Sequence, residues 1–169
     1  MTMDERLETF AAECHRILKA DPGPTGLEEV REKLEPLLVD ADFVDTYLGL
    51  DNDEVRKVLY KDPELDFCIL AHVFKGTNEA PPHDHGPAWA IYGQVTGNTE
   101  MTEYDLVVPP ADDGPGKVSP SKTYVLEPGM AVAYKVGALH SPKRVGETRL
   151  IRLEGQNLDG VKRDKFERA

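Results

Sequence analysis

Five histidines occur in the chain, and three of them stand where residue type and spacing could do chemistry. His83 and His85 lie in Pro81-Pro82-His83-Asp84-His85-Gly86, and His140 ends the run Lys135-Val136-Gly137-Ala138-Leu139-His140, just ahead of Ser141-Pro142. On an extended strand alternate side chains share a face, so His83 and His85 would project the same way with Cα atoms roughly 6 to 7 Å apart. Two imidazoles so placed can close on one ion. A third from a distant strand would complete one face of a coordination sphere and leave other positions open. Open positions point to a catalytic metal rather than a structural one. The competing reading is a solvated His-x-His loop with His140 in a surface turn, and the sequence flanking these residues favours the metal. Asp84, between two ligands, would point away from the ion and support it from behind or hold the turn. His15, in a helical segment, and His72, in an apolar run, read as structural residues.

The elements that must carry these histidines fall into two regions. From Asp4 to Ala20 the residues Leu7, Phe10, Ala11, Cys14, Ile17 and Leu18 recur at helical spacing, and Asp-Pro-Gly-Pro stops the segment. A second helix is expected after Thr25, with Glu28 three residues on as a capping box and Leu27, Val30, Leu34, Leu37 and Leu38 along one side. Pro36 would bend or shorten its last turn. A short third helix is expected between Asp40 and Leu48. From Arg56 onward the pattern changes to short runs rich in β-branched and aromatic residues, separated by Gly, Pro, Asp and Asn. The expected strands are Lys57–Tyr60, Phe67–Phe74, Ala88–Val95, Thr99–Val107, Thr123–Leu126, Ala131–Val136 and Arg149–Leu153. Gly97-Asn98 reads as a hairpin turn and Pro109–Pro120 as a loop. The expected architecture is one mainly β domain: a helical segment over residues 1–55 packed on a β-barrel over residues 56–169.

Length and charge exclude several classes. At 169 residues the chain buries about 70% of its unfolded surface, enough for a core without disulfides. Cys14 and Cys68 read as small buried hydrophobes. The chain has 31 acidic and 20 basic residues, a formal net charge of −11. That balance repels phosphate backbones, so nucleic acid is not an expected partner. No run of 18 apolar residues and no basic-then-apolar leader occurs, so a membrane is not expected either, and a cytoplasmic protein is. In so acidic a chain an anionic substrate depends on locally placed arginines.

The stretch from Gly76 to Gly97, with His83 and His85 in order, resembles the first cupin motif, and Gly137-Ala138-Leu139-His140 resembles the second. Arg56-Lys-Val-Leu-Tyr-Lys-Asp-Pro63, an apolar run ending near Phe74, and Pro-Pro-His-Asp-His are together similar to the thiol dioxygenase branch, that of cysteine and 3-mercaptopropionate dioxygenases. The likeness spans roughly residues 50 to 145. It implies a double-stranded β-helix barrel with two or three helices packed on it. It also implies a mononuclear Fe(II) held by His83, His85 and His140, with a small carboxylate-bearing thiol and O₂ as substrates. Where most cupins place a glutamate ligand this chain has Ala90, which matches the three-histidine shell of the thiol dioxygenases. A neutral shell leaves the ion its full charge for an incoming thiolate. Arg56 falls where that branch keeps its substrate-carboxylate arginine; the alternative is a surface arginine beside Asp53 and Glu54. Trp89 would wall the pocket.

The chain also departs from that branch. The Ser-x-His-x-Tyr relay on a late strand is replaced by Leu150, Arg152 and Glu154, and Lys135 and Arg144 replace residues usual around the second motif. Arg152 and Glu154 share one strand face, expected to point inward. They form either an ion pair filling the relay's space or a catalytic pair, Arg152 binding an anion and Glu154 acting as base or ligand. Tyr92 and Tyr104 could line the barrel or pack outside it. Three functions stay open: the dioxygenase, a cupin using Zn²⁺, Ni²⁺ or Mn²⁺ for lyase or isomerase chemistry, and a non-catalytic small-anion binder. Either a monomer or a homodimer is compatible with the sequence.

Overall fold

The computed structural model describes residues 3–169. Three helices come first: α1 (Met3–Ala20), α2 (Pro24–Leu38) and α3 (Ala41–Leu48). Ten strands follow: β1 (Lys57–Lys61), β2 (Cys68–Phe74), β3 (Asn78–Glu79), β4 (Ala90–Thr96), β5 (Thr99–Val108), β6 (Gly116–Leu126), β7 (Ala131–Tyr134), β8 (Leu139–Arg144), β9 (Thr148–Glu154) and β10 (Phe166–Arg168). They form two five-stranded sheets, ordered β1-β2-β9-β4-β7 and β10-β6-β5-β8-β3.

The pairing shows how the barrel is wound. β5 pairs with β6, β4 with β7, β3 with β8 and β2 with β9, all antiparallel. Eight strands thus pair as one long hairpin coiled on itself, the double-stranded β-helix of a cupin barrel. One consequence positions the site: residues near β3 lie beside β8, far away in sequence.

Period-two alternation divides each strand of the first sheet between two environments. On β9, Ile151 and Leu153 face the helices, where they join Ile69, Ala71, Val73 and Ile91 in one core with Phe10, Ile17, Val30, Leu34 and Phe43. Ala90, Tyr92 and Tyr134 face the other way and pack with Met101 and Leu126 from the opposite sheet. Gly93 lies under α2. A Cβ built there would lie 2.7 Å from Leu38 Cδ2 and 2.9 Å from Leu34 Cδ2, so any larger residue would push those leucines from their place on β4.

Several local expectations are corrected. The Thr25–Glu28 capping box does not form: α2 starts at Pro24, with Gly23 as N-cap and no side-chain cap. Proline suits a first helical position because that N–H needs no partner. α3 is capped instead by Asp40, whose carboxylate accepts from the Asp42 and Phe43 amides. Pro109–Pro120 is not all loop, since β6 begins at Gly116. There the chain pairs in parallel with β10, Phe166 opposite Gly116, and antiparallel with β5, Val108 opposite Lys117, and these partners rather than local composition make the strand. β8 is also hidden in the sequence, because Ser141 and Pro142 read as turn residues. No helix is long and apolar enough to cross a membrane among the described residues.

Candidate metal centre

His140 is the second residue of β8. His83 lies in the connection from β3 to β4 and forms an isolated antiparallel bridge with it. The His83 amide donates to the His140 carbonyl and the His140 amide to the His83 carbonyl, both at 2.9 Å. His-x-His is therefore not on a regular strand as expected; this single bridge aligns it. A turn at Gly86, with φ of 60°, follows His85, and Asp84 pins it by accepting the Gly86 amide at 2.9 Å. Asp84 holds the turn. Positive φ explains why glycine stands at position 86.

The three rings converge. Their centroids lie 5.5 Å apart for His83–His85, 4.7 Å for His83–His140 and 5.0 Å for His85–His140. One ring nitrogen from each lies within 4.8 Å of the others. His83 Nδ1 donates to the Pro81 carbonyl at 2.9 Å, which leaves Nε2 as a free lone pair and orients the ring, as metal-bound histidines require. His85 Nε2 and His140 Nε2 are 3.1 Å apart. Two imidazoles at right angles about one ion, with bonds of about 2.1 Å, would put their nitrogens roughly 3.0 Å apart. The donor set thus fits a divalent metal.

Electrostatics favour the same use. Burial lowers the His83 pKa to about 4, and His85 and His140 are also lowered, first by burial, with Arg152 contributing to both. All three are neutral near pH 7, so each keeps one ring nitrogen with a free lone pair. His140 stacks on Tyr134 at 4.1 Å between centroids, which fixes its ring. Tyr92, buried on β4, reaches the same centre: its hydroxyl is 2.9 Å from His85 Nε2 and 3.3 Å from His140 Nε2.

A charged cluster borders the histidines. Glu154, whose side chain is only 2% exposed, receives Arg56 Nη2 at 3.1 Å and Arg152 Nη1 at 3.4 Å. Arg56 Nη2 also donates to Asn157 Oδ1 at 2.9 Å. Two guanidiniums share one carboxylate and keep a net positive charge. The Arg152 guanidinium lies 4.5 Å from the Tyr92 ring centroid, and its Nε is buried without a partner.

Among the sequence-predicted residues, His83, His85 and His140 come together, and Arg56, Arg152 and Glu154 form a second group beside them. Glu154 is not among the residues that could hold an ion with the histidines. Trp89 is corrected: it packs with the helix-side core and against Gly155, because position 89 alternates with Ala90 and Tyr92. Tyr104 packs with Val118 and Leu139, away from the histidines, and bonds to Ser141 at 2.7 Å. His15 pairs with Asp62. His72 stands apart from the cluster, its Nδ1 meeting the Val55 carbonyl at 2.7 Å. The sequence gives Tyr92 no role; its one signal is that it shares the strand face of Ala90.

No protein-family model matches the sequence, and no curated protein is a significant match. Solved structures do resemble it. KdgF from Halomonas sp. is 19% identical with a TM-score of 0.46, covering 63% of this chain and 82% of that one. The cupin domain of Cnp3 from Schizosaccharomyces pombe is 14% identical with a TM-score of 0.46, covering 62% of each chain. A cupin-2 domain protein from Shewanella frigidimarina NCIMB 400 is 13% identical with a TM-score of 0.45, covering 71% of this chain and 96% of that one.

Proposed function

We propose that this chain is a metal-dependent enzyme of the mononuclear Fe(II) dioxygenase type, acting on a small carboxylate-bearing thiol. One arrangement carries the reading: three imidazoles kept neutral by burial converge on a point, and the guanidinium of Arg152 lies beside them with its charge only partly offset. A bound Fe(II) would supply the redox chemistry that joins a thiolate to O₂.

The chain's own residues do the rest. Arg152 is held by Glu154 on one side and the Tyr92 ring on the other, which leaves Nε to meet a carboxylate oxygen in a charge-assisted hydrogen bond. Arg56, the residue that the thiol dioxygenase likeness would make the carboxylate anchor, already donates to Glu154 and Asn157. In this reading Arg56 positions Glu154, Glu154 orients Arg152, and Arg152 receives the substrate. Glu154, ion-paired twice, is not a free base. Burial of Glu154 and of Arg152 Nε keeps water from competing there and strengthens the contacts those groups make.

Metal analysis of protein purified without added ions, paired with oxygen uptake over small thiols with and without a carboxylate, tests the proposal. Stoichiometric iron and oxygen uptake confined to carboxylate-bearing thiols is the expected result. A site filled by Zn²⁺, Ni²⁺ or Mn²⁺, with no oxygen uptake across the panel, would refute the dioxygenase reading in favour of lyase or isomerase chemistry.

A further inference from the structure

Ala90 occupies the place where most cupins carry an oxygen ligand, yet the structure brings another oxygen to the same centre. On β4, position 92 faces the barrel interior as position 90 does, one pleat further along. Ala90 and Tyr92 pack in one interior cluster, and the Tyr92 hydroxyl meets His85 and His140. The Tyr92 ring is held in place on two sides: the Arg152 guanidinium 4.5 Å from its centroid and Tyr134 edge-on at 5.5 Å.

The distances define a triangle. His85 Nε2 and His140 Nε2 are 3.1 Å apart, and Tyr92 Oη lies 2.9 Å from the first and 3.3 Å from the second. These separations bracket the roughly 3.0 Å expected between ligands at right angles with bonds of about 2.1 Å. With hydrogen bonds alone the Tyr92 hydroxyl donates to one imidazole and accepts from the other, and the third edge, between the two ring nitrogens, has to share that same imidazole proton. A cation among the three atoms is met instead by a lone pair from each.

We infer that Tyr92 is an oxygen ligand, so that the centre is built from three histidines and one tyrosine. The inference rests on the metal-dependent reading above. As the ion arrives the Tyr92 O–H bond breaks, the oxygen keeps the electron pair and binds the metal, and the proton leaves to solvent. The shell then carries one negative charge in place of none. Arg152, over the ring, offsets that charge, which gives it a part in the metal site besides its contact with substrate.

The experiment loads the full chain with iron, oxidises it to Fe(III), and records iron content and visible absorption for wild type, Tyr92→Phe and Tyr134→Phe. A phenolate bound to Fe(III) gives a visible charge-transfer band with phenolate vibrations in resonance Raman. The expected result is that band in wild type and Tyr134→Phe and its loss in Tyr92→Phe. Chelator competition should show metal held at least about 10-fold more weakly by Tyr92→Phe, the low end for loss of a group supporting a metal site. Wild-type protein that holds stoichiometric Fe(III) without the band overturns the inference while leaving the metal reading intact, and this outcome requires no variant to fold. A band that persists in Tyr92→Phe overturns it too. Wild-type protein that takes up no iron, cobalt or zinc overturns both.

Discussion

Replacing Arg152 with alanine separates its structural part from its part in substrate binding, because the structure sets different magnitudes for each. As a structural partner, Arg152 supplies one contact to Glu154 at 3.4 Å, while Arg56 supplies contacts at 3.1 and 3.4 Å. The carboxylate would keep Arg56 after the substitution. The stability loss should therefore fall short of the roughly 3 to 5 kcal/mol typical of a stranded buried charge, at about 1 to 2 kcal/mol, at or below the low end of the roughly 1.5 to 3 kcal/mol of a hydrogen bond to a charged group because the contact is long. For a chain this long that is roughly 2 to 8 °C in Tm. As a substrate anchor, Arg152 should be worth about 1.5 to 3 kcal/mol in transition-state binding, or roughly 10- to 150-fold in kcat/KM. Metal should still bind through the three histidines, held more weakly to the extent that Arg152 offsets the Tyr92 oxygen. Thermal melts, metal analysis and steady-state kinetics on one preparation measure all three. Full activity at wild-type kcat/KM would refute the anchor. A stability loss of about 4 kcal/mol or more, within the range for a stranded buried charge, would show that Arg56 alone does not hold Glu154.

His140→Ala should strip most bound metal, and normal metal content by elemental analysis would dismantle the triad. Glu154→Gln should lower stability more than Arg152→Ala, because two guanidiniums then lie side by side without a carboxylate; chemical denaturation checks the order. The metal-free protein should lose stability as pH falls. Burial sets the folded His83 pKa at about 4, below the unfolded value of about 6.5, so the unfolded chain binds more protons between the two. The stability from a neutral His83 is present above about pH 6.5 and declines towards about pH 4; a flat profile over that window, by urea titration, would contradict the burial. Gly93→Val should cost about 1 to 3 kcal/mol by overpacking Leu34 and Leu38 while leaving metal content unchanged.

Much of the fold was legible because it is written in local periodicity. The apolar spacing of Leu7, Phe10, Cys14 and Ile17 specifies a helix, and alternation through Leu150–Glu154 specifies a strand with Arg152 and Glu154 on one face. The three histidines were legible as metal-ligand types, and their order along the chain carried the cupin likeness. β8 and the start of β6 were not legible. Their residues are poor strand formers, and β8 takes its partners β5 and β3, and the start of β6 its partner β10, from far away in sequence.

The sequence by itself determined which side chains can do chemistry and, where the period is regular, which face each takes. Tertiary structure alone decided what each meets. Trp89 and Tyr92 both follow His85 closely, yet one packs under the helices and the other enters the histidine cluster, because an odd number of residues along a strand reverses the face. Glu154 could have served as base, ligand or ion-pair partner, and what settled its surroundings was Arg56 arriving from a segment 98 residues away. A side chain's charge and reach are properties of the residue; its partners are properties of the winding of the barrel.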